Sequence, residues 1–302
     1  MGKIALLFPG QGAQSVGMAR DFYDNFQSAR DIFDKMGEGV KDVAFHGAQG
    51  ELNLTVNAQP AIFAANLAVA SVLSDAGICA GAAAGFSLGE ISGLVYSGIL
   101  SLDDGIRLVS FRANVMDECT RKNIGGMAAV LNLDADKVRA VCASVSGTYP
   151  ANFNSAAQTV VSYADGRYDG LADAVKAAGG RIMKLAVSGA FHSPFMNDAA
   201  AQIAEYLGDV TIEQAKLPLY SNYTAQIYEN AQNKRELIHK QVNNAVLWHK
   251  TIENMINDGF DTFIEAGPGK VLSGLVKKIN AEVKAYSVFD MPSYEQLLKE
   301  IR

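Results

Sequence analysis

Nucleophilic catalysis by a side-chain hydroxyl needs that hydroxyl to protrude, a base to take its proton and donors for a developing oxyanion, and this chain offers one clear setting for each. Gly85-Phe86-Ser87-Leu88-Gly89 is a G-x-S-x-G pattern. It follows a run of small residues, Ala82 to Phe86, that reads as a strand, and it opens a helical pattern from Leu88 to Tyr96. That context is what a nucleophile elbow requires, because small flanking residues let the chain turn sharply enough to expose the serine hydroxyl. The amide of Leu88, at a helix N-terminus, then points to where an oxyanion forms.

The base must be sought among four histidines. His239 sits in a polar helical pattern and His46 in a Gly-flanked loop, which suits solvated surface residues, while His249 beside Trp248 reads as packed or capping. His192 lies in Gly189-Ala190-Phe191-His192-Ser193-Pro194, between a strand and a helix, where open α/β sheets place ligand sites. It is the candidate general base. No triad acid is evident, since Asp198 falls inside the following helix, so a main-chain carbonyl that accepts the Nδ1 proton is expected to orient the ring.

The elements that must position these residues follow a βα rhythm. Short apolar runs at Lys3 to Phe8 and Ala82 to Phe86 alternate with helical patterns at Ala19 to Met36, Gln59 to Ala76 and Leu88 to Tyr96, as in a parallel sheet covered by helices. Ser101-Leu102-Asp103-Asp104 is a capping box opening a long helix to about Thr120. After Gly125-Gly126 the order becomes β-α-β-β-α-β, ending on a strand from Arg181 to Val187, which is the ferredoxin-like arrangement. From Ser193-Pro194 the first rhythm resumes. A helix runs to Leu207, a strand lies near Leu217 to Ser221, helices cover Arg235 to Asp258, and strands run from Asp261 to Glu265 and Lys284 to Phe289, with Gly267-Pro268-Gly269 turning into a helix near Lys270. The fold class expected is therefore α/β: an α/β-hydrolase-like large subdomain of residues 1–124 and 190–302, carrying a parallel sheet and the elbow, with a ferredoxin-like small subdomain inserted at 125–189.

Composition bounds the function classes. With 302 residues, 49% hydrophobic and 19% charged, the chain suits a soluble globular enzyme. The longest apolar stretch, Pro60 to Leu73, is interrupted by Asn66 and Ser71 and reads as a buried helix rather than a membrane span. Ile4 to Phe8 is too short for a signal peptide. Three widely spaced cysteines support neither a disulfide framework nor a metal site and fit a reducing cytoplasm. A net charge of −6 without a basic block argues against nucleic acid as a partner.

Seven motifs in order extend this reading over almost the whole chain: Phe8-Pro9-Gly10-Gln11-Gly12, Gln59-Pro60, Gly85-Phe86-Ser87-Leu88-Gly89-Glu90, Phe111-Arg112-Ala113, Asn152-Phe153-Asn154-Ser155, Ala190-Phe191-His192-Ser193 and Glu265-Ala266-Gly267-Pro268-Gly269. With these the chain resembles the acyltransferase family of fatty acid and polyketide synthesis, which includes malonyl-CoA:acyl carrier protein transacylases. The resemblance implies that Ser87 becomes malonylated, that His192 is general base and acid, and that the amides of Gln11 and Leu88 form the oxyanion hole. It implies that Arg112 clamps the free malonyl carboxylate, Gln59 lines the pocket, Asn154 supports the site, and the carbonyl of Leu247 orients the histidine. Phe191 is the residue that malonyl-specific members carry. Two positions depart from the usual pattern: Phe86 stands where most relatives have His, and Leu247 where many have Gln. The implied partners are malonyl-CoA and an acyl carrier protein with its phosphopantetheine arm, with no cofactor and no membrane. Because that carrier is acidic, Lys176, Arg181, Lys184, Lys270, Lys277 and Lys278 are candidate docking cations. An ordinary serine hydrolase or thioesterase would share the elbow and the histidine but has no use for Arg112. A non-catalytic carrier-binding protein would have no use for Ser87.

Overall fold

The computed structural model describes residues 2–187 and 189–301. Met1, Ser188 and Arg302, which fall within the expected subdomain ranges, lie outside the described residues. The first strands are β1 (Lys3–Phe8) and β2 (Ala82–Gly85), which are almost wholly apolar and buried on both faces, as central strands of a parallel sheet must be. The chain then forms β3 (Gly125–Leu131), β4 (Thr148–Ser155), β5 (Gln158–Ala164) and β6 (Arg181–Lys184) before returning as β7 (Leu219–Tyr220), β8 (Phe260–Ala266) and β9 (Lys284–Val288). The large sheet has the order β7-β2-β1-β8-β9 with every pairing parallel. The small sheet has the order β4-β5-β3-β6, all antiparallel, with helices Ala135–Ser144 and Tyr168–Ala177 between its strands. This is the ferredoxin-like order, and the fold is the expected α/β hydrolase-like sheet with its insert.

Strand periodicity divides the packing. Ile4, Leu6 and Phe8 face a core built around the helix Thr55–Asp75, whereas Ala5 and Leu7 face Trp248, Ile252, Leu272 and Leu275 on the opposite side. The small sheet keeps its own core of Val130, Leu133, Val138, Leu171 and Val175. Helix Thr55–Asp75 is long and apolar enough to cross a membrane, but most of it is buried against β-strands and neighbouring helices. The helix Leu102–Lys122 starts as expected: Ser101 Oγ accepts the Asp104 amide at 3.0 Å and donates to the Asp104 carboxylate at 2.6 Å.

Some elements differ from their sequence patterns. The helix expected over Ala19 to Met36 is two, Arg20–Asn25 and Gln27–Met36, because Phe26 is extended between them. The helices expected over Arg235 to Asp258 are two, Ala231–Asn243 and Trp248–Asn257, the first beginning a turn earlier than expected. Tertiary pairing divides them: Val246 donates to the Ala151 carbonyl at 2.8 Å and accepts from the Phe153 amide at 2.9 Å, so this connection is laid against β4. The small sheet's last strand, β6, ends at Lys184 rather than Val187, and the described residues close with an unanticipated helix, Met291–Ile301, that buries Tyr294 and Leu297.

Candidate active site

The carboxyl ends of β1, β2 and β7 lie side by side, with Phe8 opposite Gly85 and Ala84 opposite Tyr220. Three loops therefore meet above one sheet edge, the place where α/β sheets bind ligands. They carry Gln11, Ser87 and Asn222.

Ser87 has φ 52°, the left-handed conformation of a nucleophile elbow, which costs a non-glycine residue about 1–2 kcal/mol. The flanking glycines permit it. A Cβ on Gly85 would stand 2.0 Å from the Gly89 carbonyl carbon, and one on Gly89 would stand 2.0 Å from the Phe8 carbonyl oxygen. Phe86, the departure from the family pattern, packs edge-on against Trp248 with ring centroids 5.4 Å apart.

His192 approaches from the connection after the small sheet and is also left-handed, with φ 54°. Two hydroxyls brace it: Ser193 Oγ donates to the Ala190 carbonyl at 2.6 Å, and Ser162 Oγ of β5 donates to the Phe191 carbonyl at 2.5 Å. His192 Nε2 is 2.7 Å from Ser87 Oγ, and Nδ1 is 2.8 Å from the main-chain carbonyl of Gln241. A carbonyl only accepts, so Nδ1 carries the proton and Nε2 is left free to accept the serine hydroxyl. Burial, helped by the positive charge of Arg112, lowers the imidazole to about 4, which keeps it neutral at physiological pH with Nε2 able to accept a proton.

The orienting carbonyl corrects the assignment to Leu247. The Leu247 carbonyl caps the helix Trp248–Asn257, accepting the amide and hydroxyl of Thr251 at 2.9 and 3.0 Å. Gln241 lies in the last turn of the preceding helix, where main-chain carbonyls have no intrahelical donor and are available to a neighbour.

Arg112 belongs to the buried stripe of helix Leu102–Lys122, in step with Leu108, Val109, Met116 and Cys119, and is only 1% exposed. Its hydrogen-bond partners are neutral: Gln59 Oε1 at 2.6 Å, Ser87 Oγ at 3.2 Å and Gln241 Oε1 at 3.3 Å. Its Nε has no partner among the described residues. Burial lowers the guanidinium to about 10, which leaves it charged at neutral pH. A buried cation hydrogen-bonded only to neutral groups is costly even with the acid Glu90 nearby, and an anion bound beside it would offset that cost.

Ser87 and Arg112 open onto a cleft of about 270 Å³ between the two sheets. Gln11, Asn154 and Phe191 line the same cleft, and Gln59 stands behind Arg112. Asn154 is buried with its Oδ1 unpartnered among the described residues. Among the described residues the amides of Gln11 and Leu88 donate to no protein acceptor. Sequence reasoning passed over Gln241, Asn222 and Glu90. Gln241 carries no motif, Asn222 stands just beyond the strand expected to end at Ser221, and Glu90 was visible only as the end of the elbow motif. No group of three or more His, Cys, Asp or Glu residues capable of holding a metal ion occurs among the described residues.

The chain is similar to known proteins over nearly all of its length. The acyl transferase domain family matches residues 5–295. The chain is 38% identical to the malonyl CoA-acyl carrier protein transacylase of Bacillus subtilis (strain 168), over 99% of this chain and 98% of the relative. The crystal structure of malonyl CoA-acyl carrier protein transacylase from Clostridium perfringens superposes with a TM-score of 0.95 at 37% identity, covering 99% of this chain and 97% of that one. A malonyl-transacylase in complex with a holo type II PKS acyl-carrier protein gives a TM-score of 0.94 at 32% identity, covering 99% of each chain.

Proposed function

This chain belongs to the acyl transferase domain family, and from that premise we propose that it transfers a malonyl group from malonyl-CoA to the phosphopantetheine thiol of an acyl carrier protein. Ser87 Oγ attacks the thioester carbonyl while His192 Nε2 takes the hydroxyl proton. The carbon–sulfur bond breaks, and His192 returns the proton to the departing CoA thiol, leaving malonyl-Ser87. The carrier thiol then attacks this ester, gives its proton to His192, and Ser87 leaves as the hydroxyl. The amides of Gln11 and Leu88 receive the oxyanion in both halves. Electrons and atoms balance without a metal or redox cofactor, and the three cysteines, all free, suit a cytoplasmic enzyme.

The observation that carries the substrate class is Arg112, a buried guanidinium hydrogen-bonded to no carboxylate among the described residues, 3.2 Å from the nucleophile. An anion bonded there is held one or two carbons from the reacting carbonyl, which describes a short diacid monothioester. A carboxylate makes the charge-assisted bonds that acetyl cannot. Phe191 and Met116 narrow the cleft wall beside it. Gln59 and Gln241 hold the guanidinium in place until the carboxylate arrives.

Incubating the protein with malonyl-CoA labelled in the acyl group, followed by acid precipitation and peptide mapping, tests the reading. Label is expected on Ser87, to be released to a holo carrier protein but retained in water. Rapid hydrolysis instead of transfer would identify a thioesterase, and absence of label would identify a non-catalytic carrier-binding protein. Arg112→Ala is expected to reduce malonyl loading by roughly 100-fold, the scale of a lost charge-assisted pair, while leaving acetyl loading nearly unaltered.

A further inference from the structure

Asn222, one residue past Ser221 at the end of β7, is fully buried and uses all its polar groups on the elbow and its supports. Its Oδ1 accepts the Ser87 amide at 2.6 Å, and its Nδ2 donates to the Gly85 carbonyl at 2.5 Å. One side chain thus clips together the residue two before the nucleophile and the nucleophile itself. Its own amide donates to Glu90 Oε1 at 3.2 Å, its carbonyl accepts the Leu247 amide at 2.8 Å, and Tyr228 Oη donates to the same Glu90 oxygen.

We propose that Asn222 is a positioning residue: its carboxamide holds Ser87 in the left-handed attacking conformation and, by consuming the Ser87 amide, assigns the oxyanion to the amides of Leu88 and Gln11. The inference rests on Ser87 being the nucleophile, as proposed above. The clip is specific to an amide, because one oxygen must accept and one nitrogen must donate within the same planar group. Leucine or alanine leaves the Ser87 amide and the Gly85 carbonyl buried and unpaired. Aspartate has the right shape but, when ionised, sets a second oxygen against the Gly85 carbonyl. When protonated, it can restore the donor.

The test compares Asn222→Ala, Asn222→Asp and the parent chain, using fluorophosphonate labelling of Ser87, which reads elbow geometry whatever the acyl donor, beside malonyl-CoA loading. At pH 8 both variants are expected to slow both reactions by more than tenfold, with circular dichroism unchanged. Lowering the pH toward 5 should return most of the Asn222→Asp labelling rate relative to the parent, and none of that of Asn222→Ala. A merely structural role would not produce this reversal. Labelling within twofold of the parent in the folded variants overturns the proposal, as does slowed malonyl loading with intact fluorophosphonate labelling, or an Asn222→Asp rate that ignores pH. If Asn222→Ala does not fold, the pH response of Asn222→Asp alone decides. A parent chain that labels with fluorophosphonate but never takes malonyl defeats the functional reading and leaves this comparison readable.

Discussion

A histidine that acts as a base must be unprotonated beforehand, and a lowered pKa secures this while reducing its proton affinity. At His192 burial comes first and Arg112 second in lowering the imidazole from its ordinary 6.5 to about 4. The active neutral form therefore persists to about pH 4, and the acid limb of Ser87 acylation should lie near there. Removing the Arg112 charge deletes one of the two depressing causes, so in Arg112→Gln the limb should move upward, toward but not reaching 6.5. The measurement is the pH dependence of the acylation rate with acetyl-CoA, which has no carboxylate for the guanidinium to hold. A limb that stays in place would show that burial alone sets the imidazole. On the proposed reading the same cation would keep the base unprotonated as well as select the acid-bearing substrate.

At the scale of elements, the elbow depends on how closely a helix can approach a strand. The helix Gly89–Tyr96 begins directly beneath the β1 carboxyl end. Replacing a helical glycine by alanine ordinarily gains about 1 kcal/mol. Here the added methyl would meet the Phe8 carbonyl at 2.0 Å and cannot be accommodated without moving strand or helix. Gly89→Ala is therefore expected to lower the unfolding free energy in urea rather than raise it, and to slow Ser87 acylation because the shift displaces the serine and the Leu88 amide together. Glu265, at the end of β8, shows the complementary case. Its carboxylate accepts the amides of Leu272 and Ser273 at 3.1 and 2.8 Å, so the motif Glu265-Ala266-Gly267-Pro268-Gly269 anchors a helix start and contributes no group to the chemistry.

Across the whole molecule, the site depends on how the two sheets are fastened together. The connection after helix Ala231–Asn243 bonds to β4 through Val246 and to Asn222 through the Leu247 amide, so a single segment links the small sheet, the elbow's clip and the carbonyl that orients His192. Glu90, beneath that junction, is fully buried, and burial raises its carboxyl from the ordinary 4.5 to about 8. A raised folded value means that its stabilising contribution is complete below about pH 4.5 and is lost as the pH climbs through about 8, on the order of a few kcal/mol. Glu90→Gln has no proton to lose, so its stability relative to the parent should increase between pH 5 and 8.5 in denaturant titrations. Equal pH slopes in the two proteins would refute the buried neutral acid. At the cleft rim, Lys184 and Lys270 immediately precede the lining residues Leu185 and Val271. The double change Lys184→Glu, Lys270→Glu is expected to raise the KM for carrier protein several-fold at low salt and by less at high salt, as for a steered encounter.

The elbow, the long capped helix and the βα rhythm were legible from local pattern, because small residues, N-caps and alternating apolar positions act on their immediate neighbours in the chain. Ser87 and His192 could be nominated for the same reason, each within a short motif of its own. Gln241, Asn222 and Glu90 could not be read this way. Their work is done across separations of 49, 135 and 132 residues, through a helix-end carbonyl, a carboxamide at a strand end and a buried acid, none of which has a local signature. The resemblance pointed to the Leu247 carbonyl and the structure places that of Gln241 beside the imidazole instead, since every residue has a carbonyl and only packing determines which one is left without a helical donor there.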